Sequence, residues 1–306
     1  MPFASFIKEI GRGAKGARSL DRNRAGELFA AMLAGEVGEL ELGAALIALR
    51  IKSESLDELL GFADAMAARV ATIAVPDGPR CVVLPTYNGA RRQPNLMPLL
   101  ALLLQRVGVP VLIQGRHDFD ARIDPFTLLD ALGIRRADDA GEASRRLADA
   151  GVAAIGVEAL LPGLADLLAT RPRLGVRSAG HTMAKLLDPC PGRTVRVVAV
   201  THPEYLTRME EFLRADGGHA QLLRGTEGEA YANPRRLPRL LGFADGRQFV
   251  QAEGEAGGAP PLAELPEHID AERNADTIRR MLAGELPVPE PISVQAAALA
   301  ALARES

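Results

Sequence analysis

The chain of 306 residues has no tryptophan, only three tyrosines and nine phenylalanines. Any platform for stacking planar ligands is therefore small. Two cysteines, Cys81 and Cys190, make neither a disulfide framework nor a metal-ligand pattern. A reducing compartment is the expectation. The five histidines (His117, His181, His202, His219, His268) show no paired spacing of the kind a zinc site uses. There is no Gly-x-Ser-x-Gly elbow and no cysteine-based catalytic motif. Gly11, Gly13 and Gly16 suggest a glycine-rich phosphate loop but lie before the first sheet signal. No helix-turn-helix, zinc finger or RNP motif provides an apparatus for reading bases.

Long uninterrupted apolar runs are also missing. The stretch from Leu96 to Ile113 is broken by Gln105, Arg106, Gly108 and Pro110, so it reads as helix, turn and strand, not as a membrane span. The first ten residues carry no basic segment followed by a long apolar one. No signal peptide and no membrane partner are expected, and the expected location is cytoplasmic.

What is present is a core. Hydrophobic residues make up 47% of the chain, enough to bury a sizeable interior and to exclude global disorder. The net charge of −3 argues at first against a polyanionic partner, but charge is unevenly spread. Residues 8–24 carry Lys8, Arg12, Lys15, Arg18, Arg22 and Arg24 against Glu9 and Asp21. Residues 251–306 reverse the balance, with four basic and ten acidic side chains. A basic face and an ordinary solvated surface are both compatible with this distribution.

Residues 1–75 read as helices. Phe3, Phe6, Ile7 and Ile10 recur at helical spacing. Asp21 caps a predicted helix from Arg22 to Leu33, and Ser55 opens another from Leu56 to Val70. Pro76-Asp-Gly-Pro79 marks a boundary. Beyond it, strand signals (Val109–Ile113, Val152–Val157, Val195–Val200, Ala220–Leu223) alternate with helix signals (Pro125–Leu132, Glu142–Ala148, Glu204–Ala215). That alternation predicts an α/β domain over 76–306, a mostly parallel sheet flanked by helices. Gly254 to Pro261 reads as a flexible loop, and two helices close the chain.

The most informative segment follows the first sheet signal, Cys81 to Leu84. It reads Pro85-Thr-Tyr-Asn-Gly-Ala-Arg-Arg-Gln-Pro-Asn95. A loop between the first strand and helix of a βαβ unit lies at the carboxyl edge of the sheet, where such folds bind ligands. Phosphate loops there are usually glycine-rich. This one has a single glycine and offers Tyr87, Asn88, Arg91 and Arg92.

With this loop, the helical stretch 44–66, Arg173-Leu-Gly-Val-Arg-Ser178, Val200-Thr-His-Pro-Glu204 and Asn274-Ala275, the chain resembles anthranilate phosphoribosyltransferase and its relatives over nearly its whole length. The loop itself is similar to the YbiB-type branch, which is associated with nucleic-acid binding. The resemblance implies a small N-terminal helical domain, completed by a helical segment near 175–190, beside a phosphoribosyltransferase class III-like α/β domain. It also implies a homodimer through the N-terminal helices.

Against the family, three elements of one site are altered. The family's Gly-Thr-Gly-Gly-Asp loop is here Pro85-Thr-Tyr-Asn-Gly-Ala-Arg91. A Lys-His-Gly-Asn-type segment is replaced by Gln114-Gly-Arg-His-Asp-Phe-Asp120. The Asp-Glu metal pair becomes Glu227 and Glu229, separated by Gly228. Coordinated loss predicts that transfer is absent or greatly changed. No cofactor is expected, and Mg²⁺ belongs only to the alternative of a divergent transferase.

The replacements favour phosphodiester oxygens: Arg91, Arg92, Arg116, Arg224, Arg235 and Arg236 are cationic forks. Asn88 and Gly89 complete the expected loop contacts. Tyr87 and Tyr231 are open to two readings, a base-stacking face or a packing residue. Arg171 and Arg177, with Arg173, read as residual anion-binding groups or as ion-pair partners of Asp166, Asp188 or Glu204. Lys8, Arg12 and Lys15 read as a phosphate-contacting arm or as a solvated loop. The expected partner is DNA or RNA, bound without sequence preference.

Overall fold

The computed structural model describes residues 3–13, 15–91, 93–117, 122–262, 265 and 270–305. Along the chain run α1 (Ala4–Ile10), α2 (Arg22–Leu33), α3 (Glu39–Lys52), α4 (Leu56–Ala67), β1 (Cys81–Thr86), α5 (Met97–Arg106), β2 (Val111–Gly115), α6 (Pro125–Ala131), β3 (Arg136–Ala137), α7 (Ala140–Ala150) and β4 (Val152–Gly156). Then follow α8 (Val157–Leu160), α9 (Pro162–Ala169), α10 (Arg171–Leu174), α11 (Ala179–Ala184), β5 (Thr194–Val200), α12 (Pro203–Asp216), β6 (His219–Arg224), β7 (Leu240–Ala244), β8 (Arg247–Ala252), α13 (Ala271–Leu282) and α14 (Glu290–Ala303).

These elements form two compact units. One comprises Met1–Ala71 and Val157–Pro189, and the other Thr72–Gly156 and Cys190–Ser306. The returning helical segment is thus longer than the stretch near 175–190 expected from the sequence. Among the described residues no helix is long and apolar enough to cross a membrane.

The first unit is all helix. The Asp21 carboxylate accepts from Arg24 N–H at the start of α2. Ser55 and Glu58 close a reciprocal capping box on α4, satisfying donors that a helix start leaves unpaired. α2 and α4 meet through Phe29 and Phe62, whose rings stack with centroids 4.5 Å apart. Gly61 permits their approach, because a Cβ there would lie 2.2 Å from Arg22 O.

The second unit carries one sheet in the order β3-β4-β2-β1-β5-β6-β7-β8. Strands from β3 to β6 pair in parallel. β7 and β8 are antiparallel. Every residue of β1 and of β5 is buried, the pattern of strands covered on both faces. The β7–β8 hairpin is absent from the strand signals of the sequence. It turns at Asp245 (φ 50°) and Gly246 (φ 75°), the left-handed pair that a two-residue hairpin loop requires. The chain leaves β1 toward β2 on one side, while β5 lies on the other, so the topological switch point falls at the carboxyl ends of β1 and β5.

Candidate functional site

The loop after β1 does not present its side chains outward. Tyr87 is buried, and its hydroxyl donates to Gln114 Oε1 at 2.5 Å. Asn88 is also buried and gives its amide to Gly228 O at 2.8 Å. Gly89 adopts φ 63°, and a Cβ there would meet Ile123 O at 2.4 Å. The sequence places Asn88 and Gly89 at a phosphate and leaves Tyr87 between a base-stacking and a packing role. All three turn inward, because the loop folds onto the turn Thr226–Glu229.

That turn carries the decisive group. The Glu229 carboxylate is fully buried. Its Oε1 accepts the backbone N–H groups of Tyr87 (3.3 Å), Asn88 (2.9 Å) and Gly89 (3.1 Å). Its Oε2 accepts the Thr86 hydroxyl. Successive N–H groups converging on one oxygen form an anion-binding concavity. Despite the missing glycines, the cradle exists, and an acid of the same chain fills it. Arg122 reinforces the closure by donating to Gly89 O at 3.1 Å and to Glu227 O at 3.5 Å. The loop's far end is tied as well: Asn274, fully buried, accepts Asn95 N–H at 2.7 Å and donates to Asn95 O at 3.1 Å.

Tyr231 is also inside. It is fully buried and donates to Pro94 O at 3.1 Å, so its ring offers no face to a base. Burial first, then the Glu229 and Glu227 carboxylates, push its hydroxyl pKa well above the usual value. For both tyrosines the structure selects the packing reading.

The arginines fare differently. A cavity of about 810 Å³ opens at the carboxyl edge of the sheet, bordered by Thr201 after β5 and by Gln93 of the β1 loop. Arg224, Arg235, Arg236 and Arg239 line it, with Glu210, Glu227 and Glu255. Arg224 is exposed at the end of β6. Asn233 Oδ1 accepts Arg235 N–H at 3.0 Å and sets the bend that delivers Arg235 and Arg236 together. Arg236 donates to Gly257 O. Arg239, absent from the candidates drawn from the sequence, pairs with exposed Glu253 at 3.3 Å. Its signal was the recurrence Arg235-Arg236-x-x-Arg239.

Arg91 is exposed beside the same turn, where its N–H donates to Glu227 Oε1 at 3.3 Å. Arg116 follows β2 and is half-buried, its N–H donating to Thr86 O at 3.0 Å. Arg92 lies outside the described residues.

Lys8, Arg12, Lys15, Arg171 and Arg177 belong to the helical unit. Lys8, Arg12 and Lys15 are exposed. Arg173 pairs with Glu39 of α3 at 2.9 Å, a partner other than the three acids named from the sequence. Arg171 and Arg177, with Arg50, surround half-buried His181. Burial first, then Arg177 and Arg171, lower the His181 pKa to about 4.

This histidine gives a pH signature. Its folded pKa is depressed, so the native state binds fewer protons than the unfolded chain. Its stabilising contribution is complete above the ordinary value of 6.5, falls as pH drops below it, and is gone below about 4. Unfolding free energies from urea titrations between pH 7 and pH 4 are expected to fall, by up to about 3 kcal/mol from this residue. The variant H181N is expected to flatten that part of the profile. An unchanged slope in H181N would assign the loss to other groups.

The donor set does not suit Mg²⁺. Glu229 directs both oxygens at hydrogen-bond donors, which leaves Glu227 as the acid of the former pair facing the cavity. Among the described residues, no cluster of three or more His, Cys, Asp or Glu could hold a metal ion.

Comparison with known proteins agrees with this architecture. The helical-bundle domain of the glycosyl transferase family matches residues 4–70. The uncharacterized protein YbiB of Escherichia coli (strain K12) is 43% identical over 300 residues, spanning 97% of this chain and 93% of that protein. The chain belongs to the YbiB branch of the anthranilate phosphoribosyltransferase-like superfamily. Anthranilate phosphoribosyltransferase of Beijerinckia indica is 28% identical over 303 residues, 97% of this chain and 86% of the enzyme. The crystal structure of the Thermus thermophilus enzyme superposes with a TM-score of 0.77 at 25% identity, covering 97% of this chain and 87% of that one. The YbiB-branch chain thus has the fold expected from its sequence.

Proposed function

We propose that the protein binds DNA or RNA through phosphate contacts, on a scaffold shared with phosphoribosyltransferases. The observation that carries this reading is the arginine-lined cavity at the carboxyl edge of the sheet, beside a phosphate cradle closed by Glu229. Four arginines line the cavity, together with three glutamates, and guanidinium forks suit phosphodiester oxygens. Buried Tyr87 and Tyr231 offer no stacking face, so charge and shape dominate the recognition at these loops. Recognition is accordingly indifferent to base sequence.

The rival reading is a transferase with a divergent substrate, which the scaffold alone would accommodate. It requires a free anion cradle and acids for Mg²⁺, and Glu229 engages both requirements at once.

A labelled single-stranded oligonucleotide, with phosphoribosyl pyrophosphate and Mg²⁺ as competitor, separates the two. Phosphate-backbone binding gives similar affinity for unrelated sequences and weak competition. Strong competition, together with turnover of anthranilate, would favour the transferase.

The partner set includes a second copy of the chain. Leu40 and Ile51 on α3 are 82% and 73% exposed. With Ala44 and Ile47 they recur at helical spacing along one face. This unpartnered apolar stripe supports dimerisation through the N-terminal helices. Light scattering is expected to give a dimer for the wild type and a monomer for L40E/I51E. A folded double variant of unchanged mass would remove α3 from the interface.

A further inference from the structure

We infer that Glu229 is a built-in counter-anion that occupies an otherwise complete oxyanion site and keeps it closed to pyrophosphate. The inference is independent of nucleic-acid binding. Three consecutive backbone N–H groups, from Tyr87, Asn88 and Gly89, and the Thr86 hydroxyl meet a single buried carboxylate. This donor set, at the first loop after a central parallel strand, matches the oxygens of a phosphate group.

The carrier of the carboxylate is a tight turn. Glu227 (φ 51°) and Gly228 (φ 91°) are both left-handed, and Glu229 N–H returns to Thr226 O at 2.9 Å. A glutamate with that backbone is uncommon and costs free energy. The docking of Glu229, the Asn88 amide on Gly228 O and the Arg122 guanidinium on Glu227 O hold it there. Thr226 and Glu227 of the same turn line the arginine-bordered cavity, so the cradle lies one turn behind the cavity wall.

The chemical consequence is competition. Charge-assisted hydrogen bonds are roughly twice as strong as neutral ones. A tethered carboxylate also acts at a high effective concentration, so it outcompetes a free anion at the same donors. Truncation of the side chain removes the acceptor that three N–H groups share, and an incoming oxyanion can replace it. A carboxamide of the same shape holds the cradle less tightly than the carboxylate and more tightly than no side chain.

The test is titration of the full-length wild type, E229Q and E229A with inorganic pyrophosphate, read at the amide resonances of Tyr87, Asn88 and Gly89. These signals report the cradle separately from anion binding in the arginine-lined cavity. Expected is no saturable shift in the wild type and saturation in E229A. E229Q is expected to bind roughly tenfold or more weakly than E229A, and measurably where the wild type does not. Saturable shifts of equal affinity in wild type and E229A would overturn the inference, as would a folded E229A whose three amides ignore pyrophosphate. If E229A does not fold, E229Q decides: binding no better than wild type overturns the inference.

Discussion

Reversing the charge of Arg224 and Arg239 together is expected to weaken oligonucleotide binding at least about a hundredfold at low salt. A hydrogen bond to a charged group contributes about 1.5–3 kcal/mol, so removing two such bonds suffices, and the introduced carboxylates add repulsion. Both side chains are exposed and border the same cavity. The Arg239–Glu253 pair is an exposed one, and such pairs contribute little to stability, about 0–1 kcal/mol. R224E/R239E is therefore expected to fold. Its salt dependence should flatten by about 0.7–0.9 in log–log slope for each phosphate that is no longer neutralised. The control is R304A. That guanidinium donates to Val107 O and Ala300 O and does not border the cavity. Its removal should leave affinity unchanged. Full affinity in folded R224E/R239E would move the nucleic-acid surface to the basic segment Lys8–Arg24.

The second large effect concerns the helical unit. Replacing Glu58 by alanine is expected to destabilise it by about 3–5 kcal/mol, the range for breaking a buried ion pair by removing one partner. The carboxylate is fully buried. It accepts Lys52 Nζ at 2.6 Å, Leu20 N–H at 3.0 Å and Ser55 N–H at 2.8 Å. One side chain thereby joins the end of α3, the segment entering α2 and the start of α4. Alanine removes the counter-charge of Lys52, leaves two N–H groups without this acceptor and abolishes the capping box. Against a typical total of about 5–15 kcal/mol, this is a large fraction. Pairing the change with K52M is expected to recover part of the loss, because no charge then stays buried. Urea unfolding reads both. A loss below about 1 kcal/mol in E58A would mean that water reaches Lys52 and replaces the carboxylate.

The contrast between Glu58 and Glu229 shows what the sequence could convey. Ser55 and Glu58 stand three residues apart before an apolar run, so a helix start is legible locally. Asp21 before α2 is legible for the same reason, as are the mostly apolar runs that become β1 and β5. The Asp245-Gly246 pair between β7 and β8 is an equally local hairpin signal that the strand reading missed. Glu229 is another matter. Its donors lie about 140 residues earlier in the chain, and no spacing encodes that meeting. Read locally, Glu227-Gly-Glu229 is a damaged metal pair. In the fold, one acid faces the cavity and the other plugs a cradle. The tyrosines escape local reading for a related reason. A polar aromatic beside a loop is exposed or buried according to which distant acceptor reaches its hydroxyl. Gln114 and Pro94 O supply those acceptors here. Of the arginines named from the sequence, Arg91 and Arg224 are exposed, while Arg116, Arg235 and Arg236 are half-buried.

The slope of log affinity against log salt for the wild type, on two oligonucleotides of unrelated sequence, tests the central claim most directly. If the four arginines of the cavity each neutralise one phosphate, affinity for a single strand falls with a slope of roughly 2.8, the same for both sequences. A slope near zero, or binding confined to one of the two sequences, would contradict a site built on phosphate contacts.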